Sequence, residues 1–426
     1  MRDYLLTFII FSTLPVILSR PYIGVMVWSW LSYMNPHRLT WSFAYSFPFA
    51  QLVGLVTIVG ILFSKEKKSI PWTAITITLL IFIFWMSLTT IFAIFPEYAF
   101  AEWIRTIKIQ LMTFVTLLLI NSKERLIQLI WVIVLSLGFY GVKGGIFTIL
   151  TGGEYRVWGP EGSFIQGNNE IALALIMTMP LMRFLQLNTE NKIVRWLITV
   201  SLILTGVTIL GTYSRGALVA GLVMLFMLWW RGRQKIIIGV IVLVLLPLLF
   251  NFMPESWHYR MNTIETYEED RSAMGRINVW KFALKLASDH PLFGGGYETF
   301  DRSLYSLYLP SIANDPNQYI AADSHSIYFE VLGEHGFIGL FLFLLLGFLT
   351  LKESNRIRNN TKTSLEYKWV YDLSSMLQVS IIGFAVGGAF LGLAYFDLYY
   401  HLIAMIVILG HITKSKYYGL DRNKES

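Results

Sequence analysis

His325 stands two residues after Asp323 and five before Glu330, in the run Asp323-Ser324-His325-Ser326-Ile327-Tyr328-Phe329-Glu330. An imidazole with an ordinary pKa of about 6.5 can take a proton from a hydroxyl near neutral pH. Thr212-Tyr213-Ser214-Arg215-Gly216-Ala217 wedges a guanidinium between two apolar runs. A glycine beside it lets the backbone come close, and the pair suits an anion. Arg156, Arg260, Arg276 and Arg302 fall in polar segments of the same side and together allow a site for several negative charges. Each also has a plainer use. An arginine at the end of a span snorkels to the interface. Asp301-Arg302 and Glu269-Asp270-Arg271 read as surface ion pairs, and a lone histidine at a helix start is often structural. Asn168-Asn169-Glu170 opens another apolar run, where it can line a polar cavity. There is no Asp-x-Asp and no histidine pair at i, i+4, and Glu268-Glu269-Asp270 reads as a solvated turn. The chain has no cysteine, which excludes disulfides, a thiolate metal site and a cysteine nucleophile. Chemistry without a metal or a cofactor is expected.

The elements that must position these residues are membrane helices. The chain is 55% hydrophobic and 14% charged, against roughly a quarter charged in soluble domains. Residues 70–93, 193–212, 235–252 and 371–391 are nearly free of charge, each about the ~20 residues that cross a ~30 Å hydrocarbon core. Lipid leaves backbone groups unsatisfied, so such runs are helical. A soluble helical protein would show amphipathic stripes instead. The expected fold is all-α, a polytopic bundle of about 12–13 spans. Its parts are N-terminal spans (1–150), central spans with external motifs (151–252), a large polar loop (253–324), and C-terminal spans with a tail (325–426). Two short apolar pieces split by Arg20-Pro21 are either two crossings or a bent hairpin. The stretch from Tyr4 to Leu18 lacks a small-residue cleavage site and does not read as a signal peptide.

Basic clusters fall between alternate spans: around Lys65, Lys123 and Arg125, Lys192 and Arg195, Arg231 to Lys235, Lys352 to Lys368, and the tail. The positive-inside rule makes that side the cytoplasm, so the net charge of +7 is orientation signal and implies no nucleic-acid partner. His325 and the arginines above lie on the opposite side. Within the loop, 278–288 reads as a helix and Gly294-Gly295-Gly296 as a break. A loop this long is usually functional. The run from His325 to Leu351 is 27 residues, ~40 Å as one helix and longer than the hydrocarbon core, so His325 should sit above that core, either near the first turn of a helix or on a short interfacial helix that breaks at Gly333 or Gly336, with Ser324 or Asp323 as the cap. Arg105, Lys108 and Lys143 lie inside apolar spans and are functional candidates by position. Arg105 can also bridge to Glu102 or Glu97.

Taken together, these motifs resemble the O-antigen ligase and polymerase superfamily. Arg215 sits in Ser-Arg-Gly-Ala, two spans before the large loop. The loop ends in His325-Ser326, then nine residues, then Gly336-Phe337-Ile338-Gly339. Arg276-x-x-x-Trp280, Asp289-His290-Pro291-Leu292-Phe293-Gly294-Gly295-Gly296 and the run from Gly162 to Glu170 resemble further signatures. Trp30 to Thr40 and Gly141-Val142-Lys143-Gly144-Gly145-Ile146-Phe147 resemble the O-glycosylation ligase subfamily associated with the exosortase A system. The exosortase itself needs a cysteine and is excluded.

The resemblance implies a multi-pass protein of a bacterial inner membrane, with its active site facing the periplasm. It implies a glycan donor on undecaprenyl pyrophosphate and an acceptor hydroxyl on protein or lipid. His325 would be the base. Arg215 would be the first choice to stabilise the departing pyrophosphate, with Arg156 and Arg276 behind it. Two rivals share much of this pattern: a polymerase joining lipid-linked repeats, and an exporter or flippase that does no chemistry.

Overall fold

The computed structural model covers residues 1–426 and describes all of them except Lys67, 232–234, 263–270, 314–318 and 418–426. The Glu268-Glu269-Asp270 turn therefore lies outside the described residues. The described residues form helices and no strands: α1 (Arg2–Ser19), α2 (Tyr22–Met34), α3 (Phe43–Ser46), α4 (Phe49–Phe63), α5 (Ala74–Ile91), α6 (Pro96–Leu119), α7 (Lys123–Leu150), α8 (Asn168–Asn188), α9 (Lys192–Gly211), α10 (Arg215–Arg231), α11 (Lys235–Phe252), α12 (Glu255–Asn262), α13 (Arg271–Asp289), α14 (Arg302–Tyr308), α15 (Pro310–Ala313), α16 (Ile327–Thr361), α17 (Lys368–Gly387) and α18 (Asp397–Tyr417). Side chains set several of these starts. Thr73, Ser122 and Asn191 each accept a backbone N–H of the first turn they precede, and Pro96 opens α6.

Among the described residues, seven helices are long and apolar enough to cross a membrane: α1, α5, α7, α8, α9, α16 and α17. Other helices pack into the same bundle: α2 on α7, α4 on α1, α6 on α5, α10 on α17, α11 on α10, and α18 on α6. The first two helices form a hairpin. Asp3 accepts from the backbone N–H of Ser42 and Ala44, so α1 begins beside the turn that follows α2. Gly60, near the end of α4, closes on the carbonyl of Ile17, where a Cβ would come within 2.8 Å. The Arg20-Pro21 turn thus lies at the same end of the bundle as Lys65.

Glycine lets α7 and α9 pack closely. On α7, a Cβ at Gly141 or Gly144 would strike Thr205 or Thr208 of α9, and one at Gly145 would strike the backbone of Leu204. Small residues let helices approach in lipid, where no hydrophobic driving force pulls them together. The glycines of Gly141-Val142-Lys143-Gly144-Gly145 are thus a packing surface, while Lys143 is exposed beside them.

The expected break falls at Gly336, which sits at φ 68° and ψ −169° inside α16. Breaking a helix frees backbone carbonyls, which need donors when buried. The 291–296 turn supplies them: Gly295 N–H donates to Gly333 O and Gly296 N–H to Glu334 O. Trp85 Nε1 donates to His335 O, and Phe337 N–H returns a bond to Pro291 O. The three-glycine turn and the break are one interlocked unit. It separates a short helical piece, 327–335, from the long remainder of α16.

Candidate functional site

The segment that carries His325 is anchored from α13. Asn278 Nδ2 donates to Tyr319 O at 2.9 Å and Trp280 Nε1 donates to Ser324 O at 3.0 Å. The Trp280 ring also stacks on Phe329, 5.1 Å between centroids. His325 itself has φ 47°, in the left-handed region that costs an L residue about 1–2 kcal/mol. The cap consequently falls two residues after Ser324, the nearer of the two expected caps. Ser326 is the N-cap and makes no side-chain cap bond. Asp323 does not cap either; its Oδ1 accepts from the N–H of Ser324 at 2.6 Å. Gly392, between α17 and α18, presses on this turn, with space for a Cβ blocked by Ser324 and Asp323.

Asp323 Oδ2 lies 3.9 Å from His325 Nδ1, a distance for charge attraction and too long for a hydrogen bond. That Nδ1 is buried and has no hydrogen-bond partner among the described residues. Burial holds the His325 pKa below its ordinary 6.5, and the Arg276 guanidinium lowers it further while Asp323 opposes both. The imidazole is therefore neutral at neutral pH, the form that accepts a proton.

Arg276, on α13, faces a cleft it shares with Asn169, Ser214, Gly216 and Phe390. This cleft is where the separate sequence motifs meet. Ser214 starts α10 by accepting from Ala217 N–H, and Arg215 is the first residue of that helix. Gly216 lies against Phe390, leaving no room for a Cβ. Asn168 turns away from the cleft and ties α8 to the α9–α10 turn, its Nδ2 donating to Thr212 O at 2.7 Å. Arg156 lies over the Tyr213 ring at 5.5 Å, and Arg260 Nε donates to Tyr213 O at 3.1 Å. Tyr213, at φ 59°, is thus flanked by cations on the same turn that presents Arg215.

Arg302 does not join them. It is exposed at the start of α14, beside the N-cap Asp301, whose carboxyl is held below its ordinary pKa by hydrogen bonds from Ser303.

Sequence reasoning missed a group of carboxyl side chains that gathers beside Asp323. Glu330 and Glu334, one turn apart on the short piece of α16, point toward the α17–α18 turn. Glu330 accepts from Ala394 N–H at 2.9 Å, and Glu334 accepts from Tyr395 Oη at 2.5 Å and from Glu298 N–H at 3.2 Å. Their i, i+4 spacing just after His325 was the available signal. Arg105, read from sequence as an intramembrane charge, lies 3.4 Å from Glu102, as one of its two expected partners, and 3.5 Å over the Phe164 ring.

Residues 200–344 match the family described as O-antigen ligase, and residues 1–190 match a family of unknown function (DUF5935). No curated protein matches the chain. The first match covers α10, the polar segment through α13 and α14, His325 and the break at Gly336. The chain is thus a multi-pass membrane protein in which residues 200–344 are similar to the O-antigen ligase family.

Proposed function

We propose that the protein transfers a glycan from undecaprenyl pyrophosphate to an acceptor hydroxyl on protein or lipid, at the periplasmic face of a bacterial inner membrane. The observation that carries this reading is the position of His325. It is a neutral imidazole in electrostatic reach of a guanidinium, Arg276, and a carboxylate, Asp323, within a stretch that matches the O-antigen ligase family. The resemblance to the exosortase-associated O-glycosylation subfamily favours a ligase over a polymerase.

The chemistry follows from that arrangement. The donor already carries its leaving group, and charge grows on the pyrophosphate as the anomeric C–O bond breaks. Arg276 lines the cleft, Arg215 lies in sequence between its lining residues Ser214 and Gly216, and cations held there would stabilise the charge. His325 takes the acceptor proton, worth ~10²–10⁴ in rate for a positioned base. Asp323 then stabilises the imidazolium that forms. Apolar helix faces hold the polyprenyl chain.

The test is transfer by purified protein in detergent, with a labelled undecaprenyl-pyrophosphate glycan, host envelope acceptors and EDTA. Label should reach protein or lipid and disappear in His325→Ala and Arg215→Ala. Label that only lengthens on the carrier would identify a polymerase. Absence of any new glycosidic bond would point to transport.

A further inference from the structure

A groove of about 400 Å³ runs between α1 and α7, lined also by Trp30 of α2 and by the 36–40 turn. That is within the ~300–1,000 Å³ of ligand sites. Two N-terminal motifs that the transfer chemistry leaves unused meet in it. Trp30, Pro36, Leu39 and Thr40 come from one, and Lys143 from the other. The groove shares no residue with the cleft at Arg276. We infer that it binds a phospholipid of net negative charge, with the phosphate held by Arg2 and Lys143 and an acyl chain laid along α1.

Depth gives the first reason. The Arg125–Glu66 ion pair, 2.8 Å, sets the start of α7 beside the Lys65 end of the bundle, where the Arg20 turn also lies. Lys143 follows Lys123 by 20 residues on α7, and Arg2 precedes Arg20 by 18 across α1. At 1.5 Å per residue, each cation stands ~27–30 Å from that end, about the thickness of the hydrocarbon core. Both thus lie at the headgroup level of the opposite leaflet, where the orientation rule disfavours basic residues.

Charge gives the second. Neither Arg2 nor Lys143 has an ion pair among the described residues, and no described residue that lines the groove carries a carboxyl. Asp3, next to Arg2, is buried and accepts from Ser42 and Ala44 N–H. Arg2 Nη1 donates to Leu39 O at 3.4 Å, which leaves its other donors for a phosphate. A zwitterionic headgroup brings an ammonium that this lining meets with no carboxylate. An anionic phosphodiester brings none.

Shape gives the third. Leu5, Leu6, Ile9 and Phe139 continue the groove as an apolar wall. Leu5, Ile9 and Phe139 are exposed, so the wall opens sideways to the bilayer. A free phosphate uses none of that surface, and an acyl chain covers it. The site lies within residues 1–190, and so gives part of the stretch that matches a family of unknown function a ligand.

The experiment is native mass spectrometry of the full chain in detergent, titrated with phosphatidylglycerol or phosphatidylethanolamine of the same acyl chains. One phosphatidylglycerol should be retained per chain at concentrations where phosphatidylethanolamine is not. Lys143→Gln and Arg2→Gln should each weaken that retention about tenfold, the scale of a lost hydrogen bond between charged groups. Ile9→Trp should weaken it by filling the wall. Lys192→Gln, at the opposite end of the bundle, should leave it unchanged. All four positions are exposed, so the fold should tolerate each change. Equal retention of the two lipids overturns the inference. So does a Lys143→Gln protein that behaves like Lys192→Gln, the result for a lysine that only reaches the interface. Undiminished retention in Ile9→Trp, or displacement of the lipid by glycerol phosphate alone, would make the groove an anion site without a lipid, and overturns it as well.

Discussion

At the scale of single residues, His325 is defined by opposing neighbours. Burial and Arg276 disfavour the imidazolium, and Asp323 favours it, with a net pKa below 6.5. A base must be unprotonated to work, so transfer should rise with pH through a value under 6.5 and be flat at neutral pH. Removing Arg276 removes one of the terms that lower the pKa. Arg276→Gln should therefore move the acidic limb of the pH–rate profile upward, besides slowing transfer. The readout is kcat/KM against pH for both proteins. A limb that stays in place in the variant would mean that Arg276 does not act on His325. His325→Ala should lose ~10²–10⁴ in rate across the whole range, with no limb left to shift. The sequence alone pointed to Arg215 because the orientation rule disfavours a guanidinium on that side, to His325 because it stands at the mouth of the bundle, and to Arg276 through the family resemblance. It did not reveal the carboxylates, because Glu102, Glu298 and Glu334 lie far apart in the chain and only packing gathers them.

At the scale of elements, the interlock between the 291–296 turn and the break in α16 holds the short helical piece that follows His325. Gly336 must be glycine for two reasons: its φ is 68°, and a Cβ there would sit 2.4 Å from the Leu292 carbonyl oxygen. Gly336→Ala should cost more than the ~1–2 kcal/mol of a left-handed alanine, since backbone must also move. Gly206 on α9, where a Cβ meets nothing within 4 Å, is the matching control. Thermal unfolding in detergent should show a lower midpoint for Gly336→Ala and an unchanged or slightly higher one for Gly206→Ala, with transfer lost only in the former. Equal midpoints would show that the interlock is not under this constraint. Here the sequence was legible in part. Span length left a break at Gly333 or Gly336 as one of two readings, but which carbonyls would be freed, and that Gly295, Gly296 and Trp85 would satisfy them, depends on contacts between distant segments. The capping expectation failed for a similar reason, since the left-handed turn at His325 carries Asp323 past the helix start.

At the scale of the whole molecule, the long apolar runs already contained the bundle, because a charge-free stretch of ~20 residues has few other uses. The short N-terminal pieces did not, since α2 has 13 residues and α4 has 15, and their place depends on packing against α1 and α7. The hairpin at Arg20-Pro21 now fixes a consequence. If the basic clusters face the cytoplasm, the turn holding Trp41 must share the far side with Glu161 and His325. The chain has no cysteine, so single cysteines report without background. Trp41→Cys and Glu161→Cys, both at exposed positions, should react with a membrane-impermeant maleimide in spheroplasts that expose the outer face of the inner membrane. Lys65→Cys and Leu365→Cys, also exposed, should react only after that membrane is permeabilised. A split between Trp41 and Glu161 would break the hairpin assignment. Reversal of all four would put His325 on the cytoplasmic face, and the lipid-linked donor would then have to be used before it crosses the membrane.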